Sequence, residues 1–172
     1  MLLSLLLSGT TAHCIYFCST AMTFTQWHIE DKGLGALNHL FWGAPKLWLL
    51  ALTPVVMNKL IRLLNNRYRG KTKGDDLFYG KELGPYKVSL QEALECGFVP
   101  FVQQPGMVVY THSLSGVHVT MSSGISMAIA SNCFFGPDLK AHFDKAKNYT
   151  ALNKGNHKAV GDYLIKCLKM ME

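Results

Sequence analysis

The sequence predicts a mainly α chain. Two to three apolar helices, transmembrane or membrane-buried, are joined by a polar loop and followed by an amphipathic basic helical tail. Three observations predict this. Residues 1–29 and 96–137 contain no Asp, Glu, Lys or Arg. Lys59, Arg62, Arg67, Arg69, Lys71 and Lys73 cluster between them without an acid. Of the 172 residues, 49% are hydrophobic and only 16% charged, against about a quarter charged in an ordinary water-soluble domain. Uncharged stretches bordered by basic clusters are the pattern of a chain lying in or on a membrane.

Four segments follow: hydrophobic helices over 1–68, a polar loop with a short amphipathic helix over 69–105, an uncharged small-residue-rich segment over 106–136, and a basic amphipathic tail over 137–172. The first helix is expected within residues 2–24, a length suited to a span. Its Ser and Thr residues can bond to carbonyls one turn back or to a neighbouring helix. The Leu-rich start lacks a basic n-region, so it is expected to be retained and not cleaved as a secretory signal. Residues 25–33 read as a loop.

From Pro45, placed at a first helical position, the pattern KLWLLALTPVVMNKLIRLLNNRY reads as one helix, kinked at Pro54. Its second half is amphipathic, with Lys59, Arg62 and Asn66 opposite Val56, Leu60, Ile61, Leu63 and Leu64. Trp42 and Trp48 fit an interfacial belt, and Lys46, Lys59 and Arg62 can snorkel towards anionic lipid headgroups. An interfacial or protein-packed helix is the alternative, because the fully apolar part is short for a span.

Residues 65–87, rich in Gly and charge, read as a loop. Residues 88–98 read as a short helix, with Ser89 as N-cap and Glu92 completing a capping box. Beyond Pro100 and Pro105, residues 107–135 hold recurring Ser, Gly and Ala that would let helices approach closely. The alternation at Val117–Met121 leaves a buried hairpin open, since periodicity cannot separate the two. In the tail, helices are expected over about 138–149 and 157–171. Val160, Tyr163, Leu164, Cys167, Leu168 and Met171 form an apolar stripe for docking on a partner.

The formal charge of +6 lies beside apolar helices, which favours a membrane surface over nucleic acid. Five widely spaced Cys do not make a secreted disulfide framework. Cys14 and Cys18 with His13 are too few for a zinc site. His112 and His118 lie in an uncharged block and are candidates to bind haem or to relay protons. Walker A, dinucleotide-binding Gly, His-Glu-x-x-His and nucleophile-elbow patterns are absent.

His112-Ser-Leu-Ser115-Gly116, with His157 and Asp162-Tyr163, resembles elements of the membrane-anchor subunits of succinate:quinone reductase. That resemblance implies haem b and ubiquinone, although the family's Arg is missing. Phe41-Trp42-Gly43-Ala44-Pro45 with Trp48 resembles a segment of mitochondrial pyruvate carriers. No site residue is transferred from either. The expected function is a non-catalytic accessory subunit of a multi-subunit membrane complex, in a respiratory or ATP-synthase assembly of the mitochondrial inner membrane. Its partners would be other subunits and lipid, with no resident cofactor. The alternatives are a quinone- or haem-binding anchor, and a small soluble enzyme with an apolar core, for which residues 107–135 would form strands.

Overall fold

The computed structural model of the chain describes residues 13–25, 27–28, 30, 35–68, 88–112 and 117–133. Eight strands and two helices lie among them: β1 (Cys14–Cys18), β2 (Thr23–Phe24), β3 (Gly35–Gly43), β4 (Lys46–Leu50), α1 (Pro54–Arg67), α2 (Leu90–Cys96), β5 (Val99–Gln103), β6 (Val108–Thr111), β7 (His118–Ser122) and β8 (Ser126–Cys133). The strands form two antiparallel four-stranded sheets, ordered β1-β8-β3-β6 and β2-β7-β4-β5. Early and late strands alternate in both, which is the order of a double-sheet jelly roll. The mainly α expectation is therefore wrong. Among the described residues no helix is long and apolar enough to cross a membrane.

Two segments show the physical reason. The 45–67 region is a strand followed by a helix. Lys46–Leu50 pairs with β5 on one side and β7 on the other. It reads as apolar all round because both faces of this strand are covered. Pro54, not Pro45, stands at the start of the helix, where its missing N–H is no loss, so it begins α1 and does not kink it. The described residues of the 107–135 region hold β6, β7 and β8, strands and not a helix, but β7 and β8 lie in different sheets and do not pair as the hairpin the sequence left open. The region carries no charge because alternate residues of β7 (His118, Thr120 and Ser122) are buried between the sheets. Residues 14–18 and 23–24 of the first expected helix are strands. The expected tail helices lie outside the described residues.

Two interiors result, with different chemistry. Between the sheets a set of polar residues is buried, Lys46, Gln103, Thr111, His118, Thr120, Ser122 and Ser126, together with apolar ones such as Leu40, Trp48 and Ala128. On the far side of the β4 sheet, Leu49 packs with Met57, Leu60 and Leu64 of α1, Ala93 and Cys96 of α2, and Trp27 and Phe98. Trp27 and Phe98 meet edge to face with centroids 4.9 Å apart. This second cluster is the apolar core, and it holds strands β4 and β7 rigid from behind. At the β3–β4 turn, Gly43 has φ +97, and a Cβ there would stand 2.3 Å from the Ile125 carbonyl oxygen. Only glycine fits that close approach.

The capping box of α2 is present as expected: Ser89 Oγ accepts from the Glu92 N–H, and Glu92 accepts from the Ser89 N–H. Glu92 also pairs with Arg67 at the end of α1. The Ser89 N–H, the Arg67 guanidinium and the Ser89 hydroxyl together hold the Glu92 carboxyl down to about 2. Its folded value thus lies below its ordinary 4.5. The contribution is complete above the ordinary value and is lost as pH falls towards about 2. Glu92→Gln is expected to lower stability at neutral pH and to flatten its decline between those values. Urea midpoints across that pH range check this, and an unchanged acid slope would contradict it.

Candidate functional site

The sheets bring together three ligand-bearing side chains that are far apart in sequence. His28, in the segment after β2, forms an isolated antiparallel bridge with His118 at the start of β7. Backbone bonds run in both directions between these two residues, at 3.1 and 3.0 Å. Their imidazoles stand 4.3 Å apart, centroid to centroid. Glu30 follows two residues later, and its Oε1 lies 3.5 Å from His118 Nε2. One ligand atom from each of His28, Glu30 and His118 lies within 4.8 Å of the others.

The supports of this cluster are built into the barrel. His118 is 3% exposed, and its ring stacks on Trp48 at 5.2 Å. Trp48 stacks on Phe101 on its other side, at 5.8 Å. The indole Nε1 donates to Gln103 Oε1 at 2.9 Å. Gln103 Nε2 donates to the carbonyls of Asn38 and Met107, at 2.9 and 3.0 Å. A ring pinned on its face in this way presents its nitrogens at a fixed angle, which is how surrounding residues orient a ligating His.

Lys46 lies on β4, one strand over from His118. It is 4% exposed and pairs in register with Ser122 and Gln103. Among the described residues its ammonium has no hydrogen-bonding or ion-pair partner. Burial pushes its pKa below the usual lysine value, and the neighbouring Cys18 acts in the opposite direction. Burying a cation is costly, and a bound anion would relieve that cost.

The residues predicted from sequence fall differently. Of His112 and His118, only His118 joins the cluster; His112 is exposed beyond β6, its ring 6.2 Å from Tyr110. Lys46 and Trp48, expected at a lipid interface, are inside the barrel. Trp42 is exposed on β3, and Lys59 and Arg62 are exposed on α1. Val160, Tyr163, Leu164, Cys167, Leu168 and Met171 lie outside the described residues. His28 and Glu30 were missed, because residues 25–33 read as a loop. The signal was His28-x-Glu30 with a distant His: two imidazoles and a carboxylate.

Comparison with known proteins gives this arrangement its class. Residues 15–133 match the JmjC domain family, described as a hydroxylase domain, and the chain belongs to that family. The matched span runs from β1 to the end of β8 and contains all three clustered residues. Among individual relatives, lysine-specific demethylase 4B of Mus musculus is 27% identical over 127 residues, covering 74% of this chain and 11% of the relative. Lysine-specific demethylase 4D of Rattus norvegicus is 25% identical over 128 residues, covering 74% of this chain and 24% of the relative. Putative lysine-specific demethylase JMJ16 of Arabidopsis thaliana is 43% identical over 42 residues, covering 24% of this chain and 3% of the relative. The chain thus spans at most about a quarter of the relatives it matches over most of its length.

These findings overturn the expected function. A JmjC hydroxylase domain is catalytic, so the non-catalytic subunit is set aside. So are the mitochondrial inner-membrane address, the partner subunits, the lipid headgroups and the haem or quinone anchor. JmjC domains use Fe(II) and 2-oxoglutarate. The residues present fit the metal: two His and one carboxylate make up the donor set of non-haem Fe(II) oxygenases. They also fit the dicarboxylate, through the buried Lys46, whose ammonium has no ion-pair partner among the described residues.

His118→Ala is expected to weaken Mn2+ binding by more than about 100-fold, beyond the usual cost of losing an outer supporting residue. His112→Ala should leave it unchanged. Calorimetric titration of the two variants decides this, and equal losses would remove the cluster as the metal site.

Proposed function

We propose that this chain is the catalytic core of an Fe(II)- and 2-oxoglutarate-using hydroxylase that acts on methylated lysine side chains. The observation that carries the proposal is the His28–Glu30–His118 cluster inside a JmjC barrel. The methyl-lysine substrate class is supported by the names of the relatives, which are lysine-specific demethylases.

Each residue has a distinct task in this reading. His28, Glu30 and His118 would hold the metal. Bound there, Fe(II) with 2-oxoglutarate supplies oxidation of a C–H bond by molecular oxygen. Glu30 must be ionised and both imidazoles neutral to act as ligands. Trp48 and Phe101 wall the barrel with apolar surface behind His118, which keeps water from that side of the cluster. Lys46 would pair with the distal carboxylate of 2-oxoglutarate, orienting it along the barrel. Charge-assisted contacts of this kind contribute about 1.5–3 kcal/mol.

Three measurements test the reading. The Fe(II)-loaded chain should consume 2-oxoglutarate, and peptides bearing a methylated lysine should accelerate consumption where unmodified peptides do not. Lys46→Met should weaken 2-oxoglutarate binding by about 10- to 100-fold, the equivalent of one charge-assisted contact. The same substitution should raise the Tm of the ligand-free protein, because it removes a buried, unpaired ammonium of similar size. Loss of both stability and binding would point to a purely structural Lys46. Absence of 2-oxoglutarate consumption with metal bound would defeat the proposal as a whole.

A further inference from the structure

Cys18 is the last residue of β1, and the ladder sets its surroundings. It pairs in register with Ser126 of β8, which pairs on its other side with Gly43. Ser126 is fully buried, and its Oγ lies 2.9 Å from Ser122 Oγ on the opposite sheet. Ser122 donates to the Gly124 carbonyl at 2.7 Å, so Ser126 is the donor between the two hydroxyls. Ser122 in turn pairs with Lys46. Cys18, Ser126, Ser122 and Lys46 thus follow one another as neighbours across the ladders, with Ser126 and Ser122 joining the two sheets. Cys18 is also near enough to Lys46 to act on it electrostatically, against the effect of burial.

No other described thiol has these surroundings. Cys14 is exposed and Cys96 is buried in the apolar core. Cys133 is half-buried near the Glu30 carboxylate, and burial together with that negative charge pushes its thiol up. Cys18 is half-buried, and the Lys46 it acts on is 4% exposed, its ammonium without a hydrogen-bonding or ion-pair partner among the described residues. An anion drawn to Lys46 is therefore delivered next to the Cys18 sulfur.

We propose that Cys18 is a thiol-modification site at the anion-binding end of the barrel, taking small anionic disulfides whose carboxylate pairs with Lys46, so that capping Cys18 and binding 2-oxoglutarate exclude each other. The part concerning 2-oxoglutarate rests on the function proposed above. In the capping step Cys18 loses its proton to solvent, and its thiolate attacks one sulfur of the disulfide. A new S–S bond forms to Cys18, the original S–S bond breaks, and the other half leaves as a thiolate. A thiol reductant reverses the step by the same exchange, which makes the site a reversible block on the co-substrate.

The test uses the full chain loaded with Mn2+ and two probes, anionic 5,5′-dithiobis(2-nitrobenzoate) and neutral 4,4′-dithiodipyridine. Peptide mass spectrometry reads the rate at each Cys. Cys18 should react faster with the anionic probe, and Lys46→Met should reduce that preference by about tenfold, the scale of one charge-assisted contact. Lys46→Arg should keep it. Saturating 2-oxoglutarate should protect Cys18 and leave Cys14 reactive, and Cys18→Ser should bind 2-oxoglutarate with or without the probe. If calorimetry shows 2-oxoglutarate bound while Cys18 stays unprotected, or if capping is indifferent to probe charge, the inference is wrong and the proposed function stands. If 2-oxoglutarate fails to bind yet capping of Cys18 depends on Lys46, the proposed function falls and the thiol site stands. The comparison of probes on the unsubstituted chain is decisive even if a Lys46 variant does not fold.

Discussion

Gln103 holds the working half of the molecule in place. Its side chain is fully buried between the sheets, where an amide must find partners or lose their worth. It finds three: the Trp48 indole N–H and the carbonyls of Asn38 and Met107. The bond to Asn38 crosses from one sheet to the other, and the bond from the indole fixes the plane of Trp48. Trp48 then sets the plane of His118 by stacking. A buried donor left without its acceptor costs about 1–3 kcal/mol, so the network favours a single arrangement.

The second constraint is the separation of two interiors. Apolar packing is concentrated outside the β4 sheet, against α1 and α2. The space between the sheets is thereby left for polar groups. Lys46, His118, Ser122 and Ser126 are stabilised there by the ladder and by one another. Lys46 is the exception, because its ammonium has no hydrogen-bonding or ion-pair partner among the described residues. It is a local cost that makes sense as a place for an anion, a case of stability given up where function needs it.

The same separation explains what the sequence concealed. Strands covered on both faces carry no charge, and uncharged stretches are also the mark of membrane helices. Leu47–Leu50 and the 117–133 region look alike under either reading. The polar inner face of β7 places His, Thr and Ser where a soluble core is expected to place Val or Leu, so alternation lost its usual sign. The capping box at Ser89 and Glu92 was legible because it depends on four consecutive residues. The amphipathic half of α1 was legible for the same reason. The cluster was not, because His28 and Glu30 meet His118 only after the chain has closed the barrel, about ninety residues later. The buried state of Lys46 is equally a product of the register with Ser122 and Gln103, which no local pattern encodes.

The central claim is that His28, Glu30 and His118 form one metal site. X-ray absorption of the chain loaded with Zn2+, a redox-silent probe, tests it most directly. The account predicts a shell of nitrogen and oxygen at about 2.0–2.2 Å with two imidazoles, one of them lost in His118→Ala. A sulfur shell at about 2.3 Å, or an imidazole count unchanged by that substitution, would contradict it.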